Sequence, residues 1–77
     1  MNKVLFFAHL RDAVGEEFLK LDANGKTVAE LKVHLAAIYN LPKMDTVMTA
    51  VNEEFAMDDE LIQDGDEIAF IPPVSGG

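Results

Sequence analysis

Hydrophobic and polar positions alternate along the start of the chain. From Lys3 to Leu10, Val4, Phe6, Ala8 and Leu10 share one face and Leu5, Phe7 and His9 the other, which is the two-residue period of a strand. Both faces carry apolar side chains, so this strand is expected at the centre of its sheet. Phe7 has two readings on this pattern: a residue covered by the domain, or a surface aromatic awaiting a partner. Arg11 to Gly15 breaks the alternation and reads as a turn, with the glycine free to take a positive φ. Alternation resumes from Glu17 to Leu21, with Leu19 and Leu21 inward and Phe18 and Lys20 outward, as the second arm of an N-terminal hairpin. Asp22 to Lys26 is a further loop.

At Thr27 the period changes. Thr27-Val28-Ala29-Glu30 is a capping box, in which the threonine hydroxyl takes a backbone N–H of the first turn and the glutamate returns to the Thr27 N–H. Val28, Leu31, Leu35 and Ile38 then form an apolar stripe, Ala29, Ala36 and Ala37 favour helix, and Leu41-Pro42 ends it. His34 falls beside the stripe and carries no assigned role. After a poorly patterned stretch from Lys43 to Asp45, Val47 to Val51 predicts a strand. Glu53-Glu54 then predicts a turn and Phe55-Ala56-Met57 a short returning strand. Glu67 to Ile71 is the last strand, with Ile68 and Phe70 on one face and Ala69 and Ile71 on the other. This order predicts an α+β domain with one helix packed on one face of a sheet. A final strand lying beside the first, mid-sheet, would give the residues after it a rigid base.

Composition narrows the chemistry. Seventy-seven residues make one domain near the small end of what folds unaided. There is no cysteine, so disulfides, thiolate metal sites and a thiol nucleophile are all excluded, and any sulfur chemistry must be borrowed. Apolar segments are short and no signal-peptide pattern opens the chain, so a cytoplasmic location is expected, away from membranes. Fourteen acidic against six basic residues give a net charge of −8, which argues against a nucleic-acid partner.

The acidic clusters Asp58-Asp59-Glu60 and Asp64-Gly65-Asp66-Glu67 invite comparison with a calcium-binding loop. With Gly65 as its central glycine, the first and third ligand positions fall on Glu60 and Ile62 and the bidentate glutamate on Ile71, so the pattern fails. These acids read instead as a solvated loop and a turn, anchored by Leu61 or Ile62. There is no phosphate-binding glycine loop, no paired histidines at zinc spacing, and Ser75 has no positioned base. The domain is expected to lack a catalytic centre of its own.

What remains is the end of the sequence, Pro72-Pro73-Val74-Ser75-Gly76-Gly77. The prolines favour an extended exit, and two glycines present no side chain to a narrow channel. From Pro73 to Gly77 an extended chain reaches roughly 17 Å, enough to enter a partner. On composition alone a frayed end is the simpler reading.

The run Lys3-Val4-Leu5-Phe6-Phe7-Ala8-His9-Leu10-Arg11-Asp12, the helix opening Thr27-Val28-Ala29-Glu30-Leu31, the pair Val51-Asn52 and the segment Asp64 to Gly77 together resemble the small, sulfur-carrying subunits of molybdopterin synthase, the MoaD family. The resemblance implies a β-grasp, ubiquitin-like domain over residues 1–72 and a flexible tail over 73–77. It implies that Gly77 is adenylated by an E1-like activating enzyme using ATP and Mg, with no cofactor bound by the chain itself. A sulfur donor enzyme would then convert Gly77 to a thiocarboxylate. The tail would enter the large synthase subunit, in a dimer of heterodimers, and give sulfur to a cyclic pyranopterin precursor. Carried over by residue, Gly77 is the sulfur carrier and Gly76 the slender neck, with Pro73, Val74 and Ser75 in the inserted tail. Phe7, Phe55 and Ile71 make the apolar docking patch, Ile71 standing where some relatives have an aromatic. Three other readings remain open beside it: a sulfur carrier for thiamine or tRNA thiolation, a ubiquitin-like modifier joined to lysines, and a plain binding module.

Overall fold

The computed structural model describes residues 1–41 and 43–73. Five strands form one mixed sheet: β1 (Asn2–Phe6), β2 (Phe18–Leu21), β3 (Met48–Val51), β4 (Glu54–Ala56) and β5 (Glu67–Ile71). Two helices accompany them, α1 (His9–Val14) and α2 (Val28–Tyr39), with a short 3₁₀ turn over Met44–Thr46. The strand order is β2-β1-β5-β3-β4. β1 and β5 run parallel, while β1–β2, β3–β5 and β3–β4 are antiparallel. This is the β-grasp arrangement, and the last strand lies beside the first at the centre, a placement that the linear pattern leaves open.

The core lies between the sheet and α2. Val4 and Phe6 of β1 and Ile68 and Phe70 of β5 meet Val28, Leu31 and Leu35 of the helix, all fully buried. The rings of Phe6 and Phe70 pack with centroids 6.2 Å apart, within the range at which aromatic pairs attract. The capping box forms as the sequence predicts: Thr27 Oγ1 accepts from the Glu30 N–H at 3.2 Å, and Glu30 Oε1 accepts from the Thr27 N–H at 2.9 Å. The helix ends at Tyr39, with Asn40 in the left-handed conformation; Pro42 lies outside the described residues.

Two expectations are corrected and one alternative is resolved. The first strand stops at Phe6 rather than Leu10, and the predicted turn at Arg11–Gly15 is the last four residues of α1 and its cap. Leu10 is buried, but from a helix, and Gly15 closes that helix at φ 82° with its N–H donating to Arg11 O at 2.8 Å. Ile38 does not join the buried stripe and is 57% exposed. Lys32 is buried in its stead, because Nζ donates to Val47 O at 2.9 Å and to Asp58 Oδ1 at 3.0 Å. Of the two residues proposed to anchor the acidic loop, Ile62 does so and Leu61 is exposed.

Side-chain amides tie the loops to the sheet. Asn2, buried at the start of β1, donates to Gln63 O at 2.8 Å and to Asp66 O at 3.0 Å and accepts from the Ala23 N–H at 2.9 Å. Asn52 and Glu53, at φ 52° and 70°, make the two-residue turn between β3 and β4, in which both residues need positive φ. The Asn52 side chain accepts from the Glu67 N–H at 3.0 Å and donates to Asp66 Oδ1 at 2.9 Å, joining that turn to the start of β5.

Candidate functional site

Because side chains alternate across a strand, burying Val4, Phe6, Ile68 and Phe70 under α2 turns Leu5, Ala69 and Ile71 to the opposite face of the sheet. The register carries this face across all five strands. Phe18 is paired with Leu5, Leu5 with Ala69, Ala69 with Ala50, and Ala50 with Phe55. The row has large residues at both sheet edges and alanines in the middle, so it is concave. Leu5, Ala50 and Ala69 floor a depression of about 320 Å³, and Phe7, Phe55 and Ile71 border it.

Phe7, Phe55 and Ile71, assigned to docking by resemblance and separated by up to 64 positions in sequence, therefore meet at one hollow. Phe7 is 38% exposed and Phe55 76% exposed, while Ile71 is half-buried. A continuous exposed apolar patch on a small domain is the usual mark of a partner surface. Met48 at 46% and the exposed Met57 and Phe18 extend it, beyond the residues that the resemblance assigns. The signal for Met48 was present: it pairs with Ile71 on the same face. Counting back by twos from Ala50 reaches it.

The parallel pairing of β1 and β5 sets where the tail departs. Phe6 pairs with Phe70, so both strands end on the same side of the sheet, where Phe7 follows β1 and Ile71 closes β5. Pro72 is buried and Pro73 exposed. The chain thus leaves the domain from its central strand, at one end of the apolar hollow. Val74, Ser75, Gly76 and Gly77 lie outside the described residues.

Among the described residues no group of three or more histidine, aspartate or glutamate side chains is placed to hold a metal ion. His9 and His34 are exposed and stand apart from any such group. Perturbed acids sit away from the hollow. Asp64 is held below the usual carboxylate range by its hydrogen bond with the N-terminal ammonium, whose own pKa that bond raises. Glu30 is lowered by the backbone and then the side-chain hydrogen bonds of Thr27. No helix of the described residues is long and apolar enough to cross a membrane.

Comparison with known proteins agrees with this architecture. The model of the ThiS family matches residues 4–77. The molybdopterin synthase sulfur carrier subunit of Escherichia coli is 42% identical, with the alignment covering the whole of both chains. Among solved structures, the small archaeal modifier protein 1 of Methanosarcina acetivorans is similar with a TM-score of 0.77 and 30% identity, over 99% of this chain and 95% of that one. A chain of the complex of subunits 1 and 2 of the molybdopterin-converting factor from Helicobacter pylori is matched with a TM-score of 0.69 and 27% identity, over 99% of this chain and 97% of that one. The chain belongs to the ThiS family, among the sulfur carrier subunits of molybdopterin synthase.

Proposed function

We propose that the chain carries sulfur on the carboxyl group of Gly77 and delivers it into the active site of a molybdopterin synthase large subunit. A carboxylate is a poor acyl donor until its oxygen is made a leaving group. Adenylation does this: an E1-like partner, with ATP and Mg, joins AMP to Gly77 and releases pyrophosphate. Hydrosulfide supplied by a donor enzyme then attacks the acyl carbon, AMP leaves, and a thiocarboxylate remains. Inside the large subunit that sulfur passes to the cyclic pyranopterin precursor, and hydrolysis of the acyl group restores the carboxylate. The chain itself supplies a slim tail and a docking face, and its partners supply the catalytic groups.

The observation that carries this reading is the meeting of the tail root with the apolar hollow. A partner seated on Phe7, Phe55 and Ile71 holds Pro73 at its own surface, and the remaining residues reach inward by roughly 3.3–3.6 Å each. Holding the reacting group in place in this way makes the transfer effectively unimolecular. The H. pylori relative, solved as a complex of subunits 1 and 2, supports pairing with a second subunit.

Deleting Gly77 tests the proposal. The shortened protein should keep its melting temperature and lose thiocarboxylate formation. Molybdopterin synthesis by the shortened protein would overturn the assignment. The likeness to an archaeal modifier protein favours a second reading, in which the same terminus is joined to lysines of other proteins; adducts between the chain and cellular proteins would mark that use.

A further inference from the structure

An apolar hollow binds without direction, yet a tail leaving from one end of it must point into its partner's channel. The charge around the hollow is not symmetric. Glu53 and Glu67 line the end away from the tail. Glu67 opens β5 and Ile71 closes it, a separation of roughly 13 Å along the strand. Glu67 is half-buried beside the hollow and Glu53 is exposed in the β3–β4 turn. The two are held near each other by the Asn52 N–H, which donates to Glu67 O at 2.8 Å, and by the Asn52 side chain, which accepts from the Glu67 N–H.

Among the described residues neither carboxylate makes an ion pair. Lys3 is paired with Glu67 across β1 and β5, but its Nζ lies 4.5 Å from the centroid of the Phe18 ring, on the β2 side. Lys20 is paired with Lys3 on that same side. The face therefore has three unlike corners: the tail root, an acidic pole toward β4, and a basic flank on β2.

We propose that the tail-accepting partner places an arginine or lysine against Glu53 and Glu67, and that this contact fixes the direction in which the domain sits on its partner. The proposal rests on the sulfur-carrier reading for the identity of that partner. Complementary charge at the rim of an apolar contact sets orientation and rejects misdocked poses more than it adds affinity. A cation facing the acidic pole, roughly 13 Å from the mouth of the channel, admits one of the two ways of laying the sheet on an apolar surface.

The test is titration of the full chain with the large synthase subunit at low and high salt. The double variant Glu53→Gln/Glu67→Gln keeps the shapes and removes the charges. The control Asp59→Asn/Glu60→Gln removes the same charge from the loop whose Glu60 O accepts from the Val28 N–H, at the start of α2. Affinity of the first variant should fall about five- to tenfold at low salt, with the control within about twofold of wild type. The gap should close near 1 M salt, where the screening length is about 3 Å. Equal losses in both variants would mean diffuse attraction by net charge and would overturn the proposal, as would an unchanged first variant. Wild-type protein that fails to bind at any salt would instead overturn the sulfur-carrier reading beneath it. Melting temperatures confirm folding; should the double variant unfold, Glu67→Gln alone should show about a two- to threefold loss with the same salt dependence.

Discussion

Ala50 and Ala69 are paired across β3 and β5 on the face of the sheet opposite α2, and their small side chains are what make that face hollow. Ala69 is half-buried on an otherwise regular strand, a position that tolerates an aromatic residue. Ala69→Phe should fill the hollow and weaken binding of the large subunit by tenfold or more, about 1.4 kcal/mol. Its stability should stay within about 0.5 kcal/mol of wild type. Calorimetric titration beside thermal melting separates the two effects, and unchanged affinity would show that partners do not use the hollow.

Phe55 and Phe7 should divide differently between folding and binding. Phe55 is the more exposed, so Phe55→Ala should leave stability within about 0.5 kcal/mol and cost about 2 kcal/mol or more of binding if it is an anchor. Phe7 follows β1 and is about three-fifths covered by its own domain. Phe7→Ala should lower both quantities, binding more than folding. Lost stability with unchanged affinity would place Phe7 in the core.

Much of this site was legible in the sequence, and the gaps have physical causes. Strict alternation in β5 and β2 fixed which side chains share a face, and Thr27 and Glu30 fixed where α2 begins. Ala8 and Leu10 continue the two-residue period of Val4 and Phe6, so the pattern extends the first strand beyond its true end. A six-residue helix has too few turns to assert its own period, and Leu10 is buried under either reading. Ile38 sits roughly 80° round the helix from Val28 at 100° per residue, at the margin of the buried arc. Tyr39, nearer the centre of that arc, packs against the core. Burial of Lys32 needs an acceptor from the segment before β3 and an aspartate from a distant loop, which no local pattern announces. The concavity depends on five strands in register, and a linear pattern carries no register.

Lys32 should be a structural lysine. Lys32→Met keeps the apolar stem and strands the Val47 carbonyl, so urea unfolding should show a loss of about 1–3 kcal/mol. Asp58→Asn should cost less, because Asp58 is largely exposed. A neutral or stabilising Lys32→Met would mean that the desolvation of the ammonium cancels its bonds.

The capping box should give stability a measurable acid dependence. Thr27 lowers the Glu30 pKa below its usual 4.5, chiefly through its backbone N–H, so folding favours the ionised carboxylate. That contribution is complete above the unfolded value and is lost as pH falls through the folded one. The stability difference between wild type and Glu30→Gln should be constant at neutral pH and shrink as pH falls below the usual carboxylate range. A difference that does not change with pH would contradict this origin.

Ala8 stands at φ 53°, ψ −133°, between Phe7 and α1, a conformation costly to any residue with a Cβ. Ala8→Gly should therefore stabilise the domain by about 1 kcal/mol, a rise of about 4–8 °C in Tm for a chain of this size. A fall in Tm would mean that the strain is not borne there.

The central claim concerns Gly77, and the intact mass of the protein isolated from its host tests it most directly. The account predicts a population in which one terminal oxygen is replaced by sulfur, and its loss when Gly77 is deleted. A terminus found only as carboxylate while molybdopterin is being made, or found only in amide linkage to lysines of other proteins, would contradict it.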